Sequence, residues 1–245
     1  MRRSIRYGDE RIAFTIRFMP RLGLASQRRI SISVLPDGAV VVDAPQASEP
    51  QEIVAAVHRR ARWIWQQLAA HKERMRHVLP REYISGESCF YLGRRHALKV
   101  KVSSDAAAEV KLLRGKLEVT TSVSDPDTVR RLLDAWYRKR AQEIFARRLP
   151  EVADSLRWLK EMPSFRLLNM RTQWGSCSPS GILCLNPQLV KAPRPCIDYV
   201  IGHELCHLKV HNHSPAYYRL LAALMPDWEA RKRELDGMAE VLLNR

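Results

Sequence analysis

The sequence lacks the features of a membrane or exported protein. No apolar run approaches the roughly 20 residues that a membrane-spanning helix requires. The basic N-terminus, Met1–Ser4, is followed by no apolar stretch, because Asp9–Arg11 interrupt the segment that a signal peptide would need. We therefore predict a cytoplasmic protein without membrane contact.

Cysteines are few and irregularly spaced. The chain has five, an odd number, and no two of them form a CxxC pair. They are Cys89, Cys177, Cys184, Cys196 and Cys206. This distribution argues against a disulfide framework and against a zinc ribbon, so we expect buried thiols in a reducing compartment.

Acidic residues are scarce compared with basic ones. The chain carries 26 Asp and Glu against 41 Lys and Arg, which gives a formal net charge of +15. Such an excess favours polyanionic partners, including nucleic acid, although scattered basic residues also suit solvated helix faces. Contact with a polyanion or nucleic acid through the basic surface therefore remains one hypothesis beside simple solvation.

The residue pattern predicts an α+β fold. Residues 30–34 and 39–42 read as strands on either side of the turn signal Pro36–Gly38, and a long helix is expected from about residue 50 to 77. Asp125-Pro126 is typical of a helix start, with a helix running to about residue 149. Further short apolar runs predict strands at residues 89–92, 98–102, 110–113 and 117–120.

We place a domain boundary near residue 124, where the motif content of the sequence changes. Residues 1–124 are expected to form an antiparallel β-rich region with the long helix. Residues 125–245 are expected to form a zincin-like, mainly helical catalytic domain with a small sheet.

The strongest chemical signal is the run His203-Glu204-Leu205-Cys206-His207. On a helix, His203 and His207 lie one turn apart on the same face, a spacing that allows both imidazoles to reach one zinc ion. Glu204 beside the first ligand can take a proton from a metal-bound water without binding the metal itself. The pattern predicts a zinc site with Glu204 as the catalytic residue.

The third zinc ligand requires a change in chain direction. On a continuous helix, His211 would lie about 12 Å along the axis from His203, beyond the reach of one metal ion. Asn212 tolerates a helix end and Ser214-Pro215 suits a new helix start, so we expect a break around residues 210–213. His213 is the preferred ligand by spacing, and the alternatives are His211, Asp227 and Glu229.

Other residues near the motif have weaker assignments. Residues 171–181 read as a strand and turn, and Ile182–Asn186 is a candidate edge strand for an extended substrate. Cys177 is a remote alternative nucleophile. The candidates for an oxyanion donor are Tyr217, Tyr218 and Arg171, and Asp198 and Asn212 are candidates to orient the ligand imidazoles.

Together these segments resemble the YgjP-like metallopeptidase family, which is related to the SprT-like zinc proteases. The matching segments are Trp174–Ser178, Gly181-Ile182, Leu185-Asn186, Asp198–Ile201, His203–Leu208, Asn212–Ser214 and Met225–Trp228. The resemblance implies a zinc site of His203, His207 and His213 with Glu204 as general base. Gln173 departs from the family pattern, in which an arginine precedes the tryptophan.

We therefore predict a zinc-dependent metallopeptidase that acts on a peptide or protein substrate through a metal-activated water and the Glu204 base. Two alternatives remain open. One is a zinc-dependent hydrolase of a non-peptide substrate such as a nucleotide phosphoanhydride, which the basic surface would suit. The other is a DNA-associated zinc protein, against which the presence of a base at Glu204 argues.

Overall fold

A computed structural model describes residues 1–19, 30–35, 38–75, 80–170 and 173–244 of the 245-residue chain. Its contacts divide the chain into two compact units, Met1–Leu79 and Pro80–Arg245. The architecture is α+β, as predicted, with helices and three small sheets. The expected turn residues Pro36 and Asp37, and the end of the long helix at His77, lie outside the described residues.

The first unit contains a four-stranded sheet and two helices. Its elements are β1 (Arg2–Tyr7), β2 (Glu10–Met19), β3 (Ser31–Val34), β4 (Val40–Pro45), α1 (Pro50–Arg59) and α2 (Ala61–Met75). The strand order is β1-β2-β4-β3. Its core joins buried aliphatic side chains of the sheet, such as Ile12 and Val42, to Ile53, Val57 and Ile64 of the helices.

The single long helix expected in this unit is two helices. α1 ends at Arg59, and Arg60 leaves the helical conformation with φ −107° and ψ 10° before α2 begins at Ala61. No glycine or proline marks this position in the sequence. The break therefore has no local signal in the sequence.

The second unit begins with another four-stranded sheet. Its strands are β5 (Ser88–Tyr91), β6 (Arg94–Val102), β7 (Glu109–Leu113) and β8 (Lys116–Thr121), in the order β5-β6-β8-β7. Both four-stranded sheets thus share one topology, with a central parallel pair and an antiparallel strand at each edge. The sequence predicts antiparallel strands here, and each sheet combines antiparallel hairpins with that one parallel pair.

This second sheet packs on the long helix α3 (Pro126–Ala153). α3 begins as predicted, because the Asp125 side chain accepts a hydrogen bond from the backbone N–H of Thr128 at 2.8 Å. The Tyr137 hydroxyl donates to the Phe90 carbonyl at 2.8 Å. Because sheet and helix share one core, the observed division falls between Leu79 and Pro80 rather than near residue 124.

The remaining elements surround the motif helix. They are β9 (Phe165–Leu167), β10 (Gly175–Cys177), β11 (Leu183–Leu185), a 3₁₀ helix (Pro187–Lys191), α4 (Arg194–His207), α5 (Pro215–Leu224) and α6 (Trp228–Leu243). The three short strands form one sheet in the order β10-β11-β9. Within the described ranges, none of the helices has the length and apolar character to cross a membrane.

Candidate metal centre

The helix α4 supplies the first part of the site. Its residues Ile197, Ile201 and Leu205 are fully buried in the core of the second unit, which fixes the rotation of the helix. His203 and His207 lie one turn apart, with ring centroids separated by 5.0 Å. α4 therefore presents two imidazoles side by side, as the i, i+4 spacing predicts.

A reversal of the chain after α4 brings a third imidazole to the same place. The backbone N–H groups of Lys209 and Val210 both donate to the Cys206 carbonyl, which closes the last turn. α5 then begins at Pro215 after an extended Ser214. The helix ends at His207, slightly before the break expected at residues 210–213, and the direction of the chain changes as expected.

The third member of the cluster is His213. The ligand atoms of His203, His207 and His213 all lie within 4.8 Å of one another, and the Nε2 atoms of His203 and His213 are 3.1 Å apart. The other candidates, His211, Asp227 and Glu229, are not part of this cluster among the described residues, and Asp227 is paired with Arg231.

One pair of the three nitrogens has the spacing of zinc ligands. Two imidazole nitrogens bound to a tetrahedral zinc at about 2.0–2.1 Å lie roughly 3.3 Å apart, close to the separation of His203 and His213. Three protein nitrogens leave a fourth tetrahedral position open, which is the composition of a catalytic zinc site. The donor set therefore suits a metal that must also bind a water or a substrate.

The electrostatic environment keeps these imidazoles neutral. Burial, with a smaller contribution from His207 and His213, lowers the pKa of His203 to about 3. Burial also lowers the pKa of His207 and of His213. The His207 Nδ1–H donates to the Val210 carbonyl at 3.2 Å, which leaves its Nε2 free as an acceptor. Neutral rings with free lone pairs are the form that binds a metal.

Glu204 lies beside this cluster in a nearly closed environment. Its side chain is 5% exposed, and burial raises the pKa of its carboxyl group to about 8. The β10 backbone passes directly over it, since a Cβ atom added at Gly175 would lie 2.7 Å from Glu204 Oε1. Only glycine at position 175 allows the strand and the carboxyl group to come this close.

One family model matches most of the chain. Residues 28–238 match the family model described as YgjP-like, metallopeptidase domain. The chain belongs to the YgjP-like metallopeptidase family. The match spans both units and includes all three histidines and Glu204.

Two further comparisons accompany the family match. The metallopeptidase zymogen of Pyrococcus abyssi abylysin, a crystal structure, is 22% identical, with a TM-score of 0.35. The similarity covers 39% of the YgjP-like chain and 93% of the abylysin chain. No curated protein matches the sequence.

The edge strand of this YgjP-like chain is not the one expected from the sequence. Ile182–Asn186 was the candidate, but β11 lies in the centre of its sheet, paired to β10 on one side and to β9 on the other. Its backbone is therefore unavailable to a substrate. The free edge beside the histidine cluster belongs to β10, which Asn186 anchors by donating from Nδ2 to the Gln173 carbonyl at 3.1 Å.

Cys177 is placed near the site but lacks the properties of a nucleophile. Burial, together with the nearby Glu204 and Cys184, raises the pKa of its thiol to about 11. A thiol with such a pKa stays protonated at neutral pH, and the thiolate is the reactive form. The structure therefore argues against the alternative of a cysteine nucleophile.

Some of the candidates for oxyanion donor and for orientation of the imidazoles already have other hydrogen-bond or ion-pair partners. The Tyr217 hydroxyl donates to the His203 carbonyl at 3.0 Å, while Tyr218 is 40% exposed. Asp198 forms a two-pronged ion pair with Arg148, with both N···O distances 2.7 Å, and so does not orient an imidazole. Arg171 lies outside the described residues. Asn212 Oδ1 is buried and has no hydrogen-bond partner within the described part of the chain.

The sequence does not predict two contacts at the site, that of Gly175 with Glu204 and that of Tyr217 with the imidazoles. Gly175 carries a signal, because a glycine inside a strand indicates a close approach of another group. Tyr217 follows His213 by four residues across a helix start, which places it beside that histidine on α5. The sequence pattern alone did not indicate that its ring would contact all three imidazoles.

Proposed function

We propose that this chain is a zinc-dependent metallopeptidase in which His203, His207 and His213 bind the metal and Glu204 is the general base. The observation that carries the proposal is the convergence of three neutral imidazoles within 4.8 Å, next to a buried carboxyl group. A purely structural zinc site usually fills all four positions with protein ligands and has no use for such a base.

The bound metal and Glu204 would have different roles in the reaction. When bound, zinc lowers the pKa of a coordinated water toward about 7 and polarises a carbonyl oxygen. Glu204 accepts a proton from the attacking water and delivers it to the leaving amine. Its enclosure beneath Gly175 limits the access of bulk water to the carboxyl group, and a bound zinc ion nearby would favour the ionised form that accepts the proton.

The proposed substrate is an extended peptide segment. Among the described strands, β10 (Gly175–Cys177) has a partner on one side alone, and it lies next to Glu204, so a peptide can add to the sheet there through backbone hydrogen bonds. Such pairing would bring a peptide bond to the metal centre. An unfolded protein should therefore be cleaved in preference to a compact one.

The experiment that tests the base is Glu204→Gln in the full-length chain. The variant should retain the zinc content of the wild type, because Glu204 is not a ligand. Its turnover of an unfolded protein substrate should fall by about 10²- to 10⁴-fold, the usual contribution of general acid–base catalysis. Full turnover by the variant would contradict the proposed role of Glu204.

The same assay distinguishes a peptidase from a hydrolase of nucleotide phosphoanhydrides. Wild-type protein with zinc would be given an unfolded protein and, separately, a nucleoside triphosphate. Cleavage of the protein that is lost in Glu204→Gln supports the peptidase. Release of phosphate from the nucleotide, without cleavage of any peptide, would favour the alternative hydrolase.

We also propose a polyanion contact at a cleft between α3 and β9. This cleft has a volume of about 650 Å³ and contains the exposed cations Arg138, Lys139 and Arg166. Within the described residues, none of the three forms an ion pair with a carboxylate. Arg138 also donates to the Leu167 carbonyl at 3.2 Å, which holds its guanidinium at the cleft.

Charge reversal tests this contact. Replacement of Arg138, Lys139 and Arg166 by glutamate should weaken binding of a single-stranded oligonucleotide and flatten its dependence on salt. The matched control reverses Arg114, Arg157 and Lys160, which are exposed elsewhere in the same unit. Equal losses in both variants would show that the net charge, and not the cleft, determines binding.

We further propose that the protein resides in a reducing compartment, the cytoplasm. All five cysteines are free, which is usual where thiols are kept reduced and unusual for exported domains. Fractionation of the native host cell tests this, and recovery of the protein outside the cytoplasm would contradict it.

A further inference from the structure

The three proposed ligands differ in how their rings are held. A metal-binding histidine usually donates its second ring N–H to a carbonyl or carboxylate, which fixes the orientation of the ring. His207 follows this rule through its Nδ1–H and the Val210 carbonyl. His203 does not, because its Nδ1 is buried and has no hydrogen-bond partner among the residues that the structure describes. Its orientation must come from packing.

Tyr199 meets the His203 ring edge to face at 5.8 Å, but the side chain that packs on the whole cluster is Tyr217. Its ring is fully buried and lies against all three imidazoles, with centroid distances of 5.2 Å to His203, 4.6 Å to His207 and 4.8 Å to His213. It stacks on His207 at an interplanar angle of 27° and meets the other two rings edge to face. These are the favourable arrangements for aromatic pairs.

The Tyr217 hydroxyl adds a second link. It donates to the backbone carbonyl of His203 at 3.0 Å and so joins α5 to α4. His213 precedes α5 directly, whereas His203 and His207 belong to α4. Tyr217 therefore connects the two chain segments that must meet to complete the three-histidine cluster.

We propose that Tyr217 is the positioning residue of the metal centre. Its ring packs against all three imidazoles and fixes their orientation, and its hydroxyl group acts as a clamp, a hydrogen bond that holds α5 against α4. This inference rests on the proposed zinc site. The competing view is that Tyr217 is an ordinary core tyrosine that contributes to stability alone. The two views differ in what they predict for the metal affinity of the folded protein.

The neighbouring Tyr218 provides a matched control. It lies on the same helix and is the same residue type, but it is 40% exposed and stacks on Trp228. Its ring meets the Tyr217 ring edge to face at 5.5 Å and is 6.2 Å from His213, and no contact joins it to His203 or His207 among the described residues. Replacement of Tyr218 should leave the geometry of the cluster unchanged.

The experiment measures zinc affinity by competition with a chelator for Tyr217→Phe, Tyr217→Leu, Tyr217→Met and Tyr218→Leu. Loss of the hydroxyl in Tyr217→Phe should weaken zinc binding by about five-fold, the equivalent of one hydrogen bond. Loss of the ring should weaken it by about 10- to 100-fold, as for other groups that orient metal ligands. Tyr218→Leu should stay within about two-fold of the wild type.

Two further readouts separate positioning from stability. The visible absorption of the cobalt-substituted protein should change in the leucine and methionine variants, because it reports ligand geometry. Thermal unfolding of the metal-free variants measures stability without the metal. A folded leucine or methionine variant with wild-type zinc affinity and an unchanged cobalt spectrum would overturn the proposal.

The outcomes for the zinc site and for the role of Tyr217 are distinguishable. A wild-type protein that binds no zinc would refute the proposed function and this inference together. Zinc binding by the wild type and equal binding by the Tyr217 variants would refute this inference alone. Should both ring-removing variants fail to fold, Tyr217→Phe decides, and an unchanged affinity there would count against the clamp.

Discussion

The helix α4 and the segment that follows it, residues 208–217, contribute to the same site by different means. α4 supplies His203 and His207 through regular helical spacing, and its buried face fixes both at once. Residues 208–217 supply His213 through a reversal of the chain, and Tyr217 fastens that segment back to α4. The relative positions of His203 and His207 are determined by the local geometry of α4, whereas the position of His213 depends on tertiary contacts.

This difference indicates where the centre is vulnerable. A substitution elsewhere on α4 leaves the spacing of its two histidines intact as long as the helix forms. A change in the length or path of residues 208–217 displaces His213 and Tyr217 together.

The largest effect is expected from lengthening the reversal. Insertion of two glycines after Lys209 should lower zinc affinity by more than about 100-fold, because loss of even an orienting partner costs 10- to 100-fold and here a ligand is displaced. Chelator competition measures the change. The same insertion after Asp105, in the exposed loop between β6 and β7, is the control and should leave affinity unchanged.

A smaller effect is expected from Gly175→Ala, a substitution on β10 that acts on Glu204 of α4. The added Cβ would lie 2.7 Å from Glu204 Oε1, so the carboxyl group must shift while the histidines stay in place. Turnover should fall by about 10- to 100-fold with zinc content unchanged, since a misplacement near 1 Å has such an effect.

Gly237→Ala on α6 is the control for this prediction, because an added Cβ there meets no atom within 4 Å. It should retain wild-type turnover. Equal activity of Gly175→Ala and the wild type would show that the close approach of β10 to Glu204 has no catalytic importance.

The smallest effect concerns the pH dependence of the metal-free chain. Burial raises the pKa of Glu204 from 4.5 to about 8, so between these values the folded chain holds a proton that the unfolded chain releases. This contribution to stability is fully present below about pH 4.5 and is lost as the pH rises toward 8.

Metal-free Glu204→Gln lacks this loss. The free energy of unfolding of the variant minus that of the wild type, both measured with denaturant, should therefore increase as the pH rises from about 4.5 to 8. A difference between the two proteins that is independent of pH over this range would show that the carboxyl group is not buried as described.

Local signals account for the features that the sequence predicted well. The α+β class, the helix start at Asp125 and the i, i+4 histidine pair each depend on patterns within a few residues. The preference for His213 over His211 rests on its spacing of six residues after His207, and the structure places His213 in the cluster. Short-range geometry was sufficient in each case.

The features that were missed depend on tertiary packing. Strand alternation is the same in parallel and antiparallel pairs, so the parallel pairs of β2 with β4 and of β6 with β8 left no mark in the sequence. The choice of β10 rather than β11 as the edge depends on β9, which is distant in sequence. The contacts of Tyr217 with three rings arise from the docking of α5 on α4.

The most direct test of the central claim is the zinc content of the wild type, His213→Ala and His211→Ala, purified side by side. The account predicts about one zinc per chain in the wild type and in His211→Ala, and much less in His213→Ala, because only His213 joins the cluster. Zinc retained fully by His213→Ala, or lost in His211→Ala, would contradict a centre built from His203, His207 and His213.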